Sequence, residues 1–167
     1  MATLWLVGMM GSGKTTVGRI VAERLGLPFH DTDEDVEEAS GRTVAELFAD
    51  GEEGFRDAEA EVVRSLAGER TVVACGGGVV LDEDNVDVLR DGGLVVWLDA
   101  PVDVLMARVG EGAGRPLLEG DPAAELARIA AERRERYEAA AHVRVDATHD
   151  DPGETAEEVI AAWTSWS

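Results

Sequence analysis

Lysine occurs once in the 167 residues, cysteine once and glutamine not at all. Each scarcity excludes something. A single cysteine, Cys75, rules out an intramolecular disulfide framework and a multi-cysteine zinc site, and reads as a small buried hydrophobe. The three histidines, His30, His142 and His149, lack metal-ligand spacing. Because the one lysine is Lys14, the chain has no Asn-Lys-x-Asp motif for guanine, and without glutamine it has no water-orienting residue of the Ras type. No apolar run approaches the length of a membrane span. The stretch from Leu4 to Met10 has neither the basic leader nor the cleavage site of a signal peptide. Positive charge is scarce too: 15 Lys and Arg face 35 Asp and Glu, a net charge of −20. Such a surface repels nucleic acid and anionic membranes, so neither is an expected partner. A cytoplasmic enzyme fits, either from a salt-adapted or high-GC source or a product of ordinary acidic drift.

What is present begins with Gly8-Met9-Met10-Gly11-Ser12-Gly13-Lys14-Thr15-Thr16, a full match to the phosphate-binding pattern G-x-x-x-x-G-K-[ST]. Leu4 to Val7 lead in as a buried strand, and helical spacing follows from Lys14. In that context glycines let backbone N–H groups turn inward, and the helix N-terminus adds partial positive charge. Lys14 would reach the β- and γ-phosphates of a nucleotide and the Thr15 hydroxyl would ligate Mg²⁺.

Further on, Val17, Ile20, Val21 and Leu25 predict a helix closed by Gly26. A short strand, Phe29 and His30, ends in Asp31-Thr32-Asp33. Helices are predicted over about 34–40, from Thr43 as N-cap through Phe48, and over 52–66 with Phe55, Ala58, Val62 and Leu66 as a core stripe. Thr71 to Ala74 is a buried strand ending in Cys75-Gly76-Gly77-Gly78. A helix over 82–90, a strand over 94–98 and a helix from Pro101 follow. Three glycines between Gly110 and Gly114 predict a loop that can act as a lid. A long helix from Pro122 to about Ala140, a strand over 143–145 and a helix ending near Trp163 complete the chain. The tryptophans read as core or terminal packing, and Met9 and Met10 as packing under the phosphate loop. Alternating helices and near-continuous apolar strands predict one α/β domain with a five-stranded parallel sheet and helices on both faces. The ligand belongs beyond the carboxyl ends of the strands, where the loops after residues 7, 30 and 74 share one cleft.

With the guanine and Ras-type readings gone, a small kinase remains. Asp31 and Asp33 suit such a site, one carboxylate toward Mg²⁺ and its waters, the other toward an acceptor hydroxyl. Spacing alone leaves open a plain helix cap at Asp33 in a solvated acidic run. Arg56 could equally be a surface ion pair, and Glu132-Arg133-Arg134-Glu135-Arg136 could be i,i+4 pairs without a ligand.

The chain resembles the shikimate kinases along nearly its whole length. The resemblance rests on Gly8 to Gly18, Asp31-Thr32-Asp33, Gly51 to Arg56, Gly76-Gly77-Gly78, Arg115-Pro116-Leu117-Leu118 and Arg133 to Tyr137. It implies the three-layer α/β/α P-loop kinase fold with strand order 2-3-1-4-5, substrate-binding helices over about 32–67 and a lid over about 109–122. It implies transfer of the ATP γ-phosphate to the 3-hydroxyl of shikimate, on the route to chorismate and the aromatic amino acids, by a monomer. By the family pattern, Gly11, Ser12, Gly13, Lys14, Thr15 and Thr16 bind ATP, Arg108 stacks on adenine and Pro152 lies in the turn at its edge. That turn departs from relatives that carry an arginine near Asp150. Asp33 binds the acceptor hydroxyls and is the candidate base, while Asp31 holds Mg²⁺ through water. Arg56 and Arg133 grip the shikimate carboxylate, the offset of four residues before Tyr137 selecting Arg133, and backbone groups of Gly76, Gly77 and Gly78 line that pocket. Arg115 in the lid contacts the phosphate and, with Lys14, stabilises charge in transfer. Alternatives are a kinase of this fold for gluconate or a nucleoside monophosphate, and a regulatory protein that only binds nucleotide.

Overall fold

The central strand, β1 (Thr3–Val7), is buried at every position. Its apolar side chains project alternately to opposite faces, so both faces of the sheet must be covered. β1 pairs in parallel with β3 (Val72–Ala74) on one side and β4 (Gly93–Asp99) on the other. β2 (Phe29–Asp31) adds outside β3, and β5 (Val143–Asp146) outside β4, giving the order 2-3-1-4-5. This is the predicted topology. The computed structural model describes residues 2–109 and 120–166.

Each face of the sheet has its own core. Leu4 and Leu6 join Leu94, Val96 and Leu98 against α1 (Lys14–Leu25) and α8 (Pro152–Trp166). Trp5 and Val7 join Val73, Val95 and Trp97 against α4 (Glu52–Leu66), α5 (Glu83–Gly92), α6 (Val102–Val109) and α7 (Pro122–Ala140). A small third cluster, Val36, Leu47 and Phe55, holds α2 (Thr32–Ser40) and α3 (Val44–Ala49) to α4. Thr43 caps α3 with a reciprocal capping box, as its position before Glu46 allows. Among the described residues no helix is long and apolar enough to cross a membrane.

Three local expectations are corrected. α2 begins at Thr32, and Asp31 caps it by accepting from Asp33 N at 2.9 Å, so Asp33 is a first-turn residue and not the cap. The fully buried face of α4 runs through Phe55, Glu59, Val63 and Leu66, while Ala58 and Val62 are only half-buried, because α4 packs against α2 and α3 as well as the sheet. The last helix continues past Trp163 to Trp166, whose indole stacks on Trp163 with ring centroids 5.8 Å apart. The predicted lid over 109–122 falls mostly at 110–119, outside the described residues.

Candidate active site

At the carboxyl end of β1 the chain must turn sharply into α1. A Cβ on Gly8 would lie 2.6 Å from the Leu98 carbonyl oxygen, so the loop can pass β4 only as glycine. Met9 packs beneath in the core, whereas Met10 is half-buried. Ser12 is buried and its hydroxyl has no hydrogen-bond partner, although the residue lines the cleft. A buried hydroxyl left so is costly unless a ligand meets it, which suits a loop built for phosphate oxygens. Lys14 Nζ donates to Gly8 O at 2.7 Å and Met9 O at 2.9 Å, folded back over the loop that it follows.

The end of β2 lies alongside. Thr15 Oγ1 donates to Asp31 Oδ2 at 2.7 Å, while Asp31 Oδ1 accepts from the α2 backbone. Both Asp31 oxygens are thereby oriented. Thr32 Oγ1 accepts from Gly76 N at 2.8 Å in a buried contact, tying the start of α2 to the glycine run after β3. That tether places Asp33 against the run: a Cβ on Gly76 would sit 2.8 Å from Asp33 Oδ1.

Arg56 enters from α4 and Arg133 from α7. Arg56 pairs with Glu52 at 3.0 Å toward solvent and with Glu59 at 3.1 Å toward the interior, and its guanidinium lies over the Phe55 ring at 5.2 Å. A Cβ on Gly78 would come within 2.6 Å of the Arg56 Cζ, so glycine is required for the arginine to lie flat against the backbone. Of the three neighbouring arginines, Arg133 is the buried one and lines the cleft. Arg134 reaches out to Asp99 and Arg136 to Leu81 O. Tyr137 Oη donates to Gly77 O at 2.5 Å, and burial lifts its phenol to about 12, so it stays a donor at neutral pH.

These residues line one cleft of about 570 Å³. Gly11, Ser12, Gly13, Lys14, Thr15, Thr16, Asp31, Asp33, Arg56, Gly76, Gly77, Gly78, Arg108, Arg133 and Pro152 all face it. Arg108 bridges the phosphate loop and the turn before α8, donating to Gly11 O at 3.4 Å and His149 O at 3.1 Å. Four basic side chains (Lys14, Arg56, Arg108, Arg133) meet five acidic ones (Asp31, Asp33, Glu34, Glu59, Asp150) in this lining. The chain as a whole carries 15 basic and 35 acidic residues, so positive charge is concentrated here against the overall field. Arg115 lies outside the described residues. Cys75 is buried at the floor, and desolvation pushes its thiol far above the usual range, leaving no nucleophilic thiolate.

Three residues that shape this site carry no signal of that role in the motifs: Thr32 and Tyr137, which hold Gly76 and Gly77 from outside the cleft lining, and Glu59, which lines it. Glu59 left a readable trace, because it sits four residues after Phe55 and four before Val63, a charge on a buried stripe. Its side chain is fully buried, and burial, opposed by Arg56, raises its carboxyl to about 7.

A phosphate loop on a 2-3-1-4-5 parallel sheet, with a polar pocket across the same cleft, defines a P-loop kinase. The family model for shikimate kinase matches residues 10–164. A shikimate kinase of Symbiobacterium thermophilum is 57% identical over 145 residues, which cover 84% of this chain and 83% of that protein. One from Synechococcus elongatus is 43% identical over 94% of this chain and 84% of its own length. In structure, the shikimate kinase of Acinetobacter baumannii, solved in complex with shikimate, superposes with a TM-score of 0.94 at 34% identity, covering 99% of this chain and 94% of that one. The chain belongs to the shikimate kinase family, and is an ATP-dependent kinase that acts on a hydroxyl of shikimate.

Proposed function

We propose that the chain transfers the γ-phosphate of ATP to the 3-hydroxyl of shikimate with the cleft divided into a donor end and an acceptor end. Gly11 to Thr16 cradle the phosphates, with Lys14 swinging from its loop carbonyls onto the β- and γ-oxygens. Arg108 and Pro152 flank the adenine. Asp33 orients the acceptor hydroxyl and takes its proton as transfer proceeds. Arg56 and Arg133 bind the substrate carboxylate in a forked, charge-assisted contact, and Gly76 to Gly78 supply backbone groups beside it. Arg115, carried by a lid, stabilises charge on the moving phosphoryl group. The observation that supports this reading is the approach of Asp33 to Gly76, in a cleft whose lining Asp33 shares with Arg56, Arg133 and the phosphate loop.

A magnesium ion, when bound, would neutralise phosphate charge. The donor set suits it: a hydroxyl and a carboxylate, Thr15 and Asp31, are already in contact at 2.7 Å. No cluster of three or more metal-binding side chains occurs among the described residues, so the other ligands would be phosphate oxygens and water. The acidic composition and the single buried cysteine support a cytoplasmic monomer. A coupled assay of ADP release tests the whole reading. Turnover should require shikimate and be absent with gluconate or nucleoside monophosphates; nucleotide binding with no acceptor-dependent turnover would reject it.

A further inference from the structure

Glu59 lies three residues after Arg56 on α4, with none of its side chain exposed. Its Oε1 accepts from Arg56 Nη1 at 3.1 Å, but its buried Oε2 has no hydrogen-bond partner. The position that a Gly76 Cβ would take is 2.8 Å from Glu59 Oε2 and 2.8 Å from Asp33 Oδ1, so two carboxylates face each other across Gly76. The groups around Glu59 are Arg56 on its own helix, Asp33 from α2, Arg133 and Tyr137 from α7, and Cys75 after β3. Arg56 is itself shared with Glu52 at the rim.

Ionised Glu59 is therefore hydrogen-bonded by one shared guanidinium, with Arg133 acting only at longer range and an unsolvated oxygen turned toward another carboxylate. A substrate carboxylate arriving on Arg56 and Arg133 adds a further negative charge and competes for the group that keeps Glu59 ionised. Protonated, Glu59 turns its orphan oxygen into a donor facing an acceptor. We propose that binding of shikimate is coupled to the uptake of a proton from solvent by Glu59, which makes this buried carboxyl a positioning residue whose charge state sets the affinity of the acceptor pocket. The inference rests on the reading of Arg56 as an anchor for the substrate carboxylate. Burial that raises the Glu59 carboxyl to about 7 before substrate arrives puts the exchange in the neutral range.

Calorimetry of shikimate binding without nucleotide, in two buffers of different ionisation enthalpy, counts the protons. At about pH 7.5 the wild type should take up a substantial fraction of a proton, and its Kd should rise by up to about tenfold per pH unit above neutrality. Glu59→Gln, which mimics the protonated acid and keeps an oxygen for Arg56, should abolish the uptake, flatten the pH dependence and bind shikimate at least as tightly as the wild type above about pH 8. A purely structural role would instead weaken binding equally at every pH. No net proton exchange in the wild type overturns the proposal without reference to any variant, as does uptake that persists in Glu59→Gln. Arg56→Ala reports on the anchor separately: unchanged shikimate affinity there overturns that reading, whatever the proton count.

Discussion

The two ends of the cleft are built on different principles. At the proposed donor end the phosphate loop is one continuous stretch, Gly8 to Thr16, which offers backbone groups and a helix N-terminus, while Arg108 and Pro152 join it from elsewhere in the chain. The proposed acceptor end is assembled from side chains on α2, α4 and α7, held by a buried contact from Thr32 to Gly76 and partly buried ones from Arg56 to Glu59 and Tyr137 to Gly77. A backbone cradle is indifferent to most substitutions outside its glycines, and it reads only phosphate. Side chains from separate elements can be exchanged one at a time, which is how a common donor site can serve different acceptors.

That division predicts separable losses. The largest should come from Asp33→Asn, expected to lower kcat by about 10²–10⁴-fold through loss of the proposed proton acceptor. ATP affinity, measured by titration, should hardly change; near-normal kcat would remove Asp33 from the chemistry. Arg133→Ala should raise the KM for shikimate at least about tenfold, the loss of a charged hydrogen bond worth about 1.5–3 kcal/mol, with the KM for ATP preserved. An equal rise in both constants would mean the two ends are not independent. Gly78→Ala comes next: its methyl group displaces the Arg56 guanidinium, and a few-fold rise in the KM for shikimate alone is expected.

The smallest effect concerns the sheet that carries both ends. Val95 N donates to His142 Nδ1 at 3.0 Å, which requires the imidazole nitrogen to be unprotonated. Burial, then Arg90, disfavour the imidazolium and lower its pKa from the ordinary 6.5. The folded state thus binds fewer protons there than the unfolded chain, so this stabilisation is complete above 6.5 and is lost as pH falls through the lower folded value. The Tm advantage of wild type over His142→Asn should shrink from about pH 7 to about pH 5; a constant difference would separate the histidine's titration from stability.

Much of the fold was legible because its signals are local. Buried strands read as apolar runs, Gly26 and Thr43 marked helix ends, and the phosphate loop is contiguous. The acceptor end was harder. Arg133, Arg134 and Arg136 look alike in sequence, and only the rotation of α7 against the sheet decides that the first turns inward. Asp31 and Asp33 were readable as a pair, but which one caps α2 depends on the end of β2 meeting Thr15. Glu59 leaves only a faint sign, because a carboxylate on a helix is ordinarily solvated, and its burial is decided by α2 and α3 packing on α4.

By itself, the sequence determined a strand–loop–helix unit that carries the phosphate-binding pattern, with the chain's one lysine inside it. Those properties depend on neighbours within a few residues, where chain geometry leaves little choice. The tertiary structure alone decided that Asp33, Glu59, Arg56 and Arg133 share one pocket, and that Glu59 is left there with an orphan oxygen. Packing from several elements sets distances and desolvation, and those fix the charge a side chain carries. No pattern along the chain encodes them.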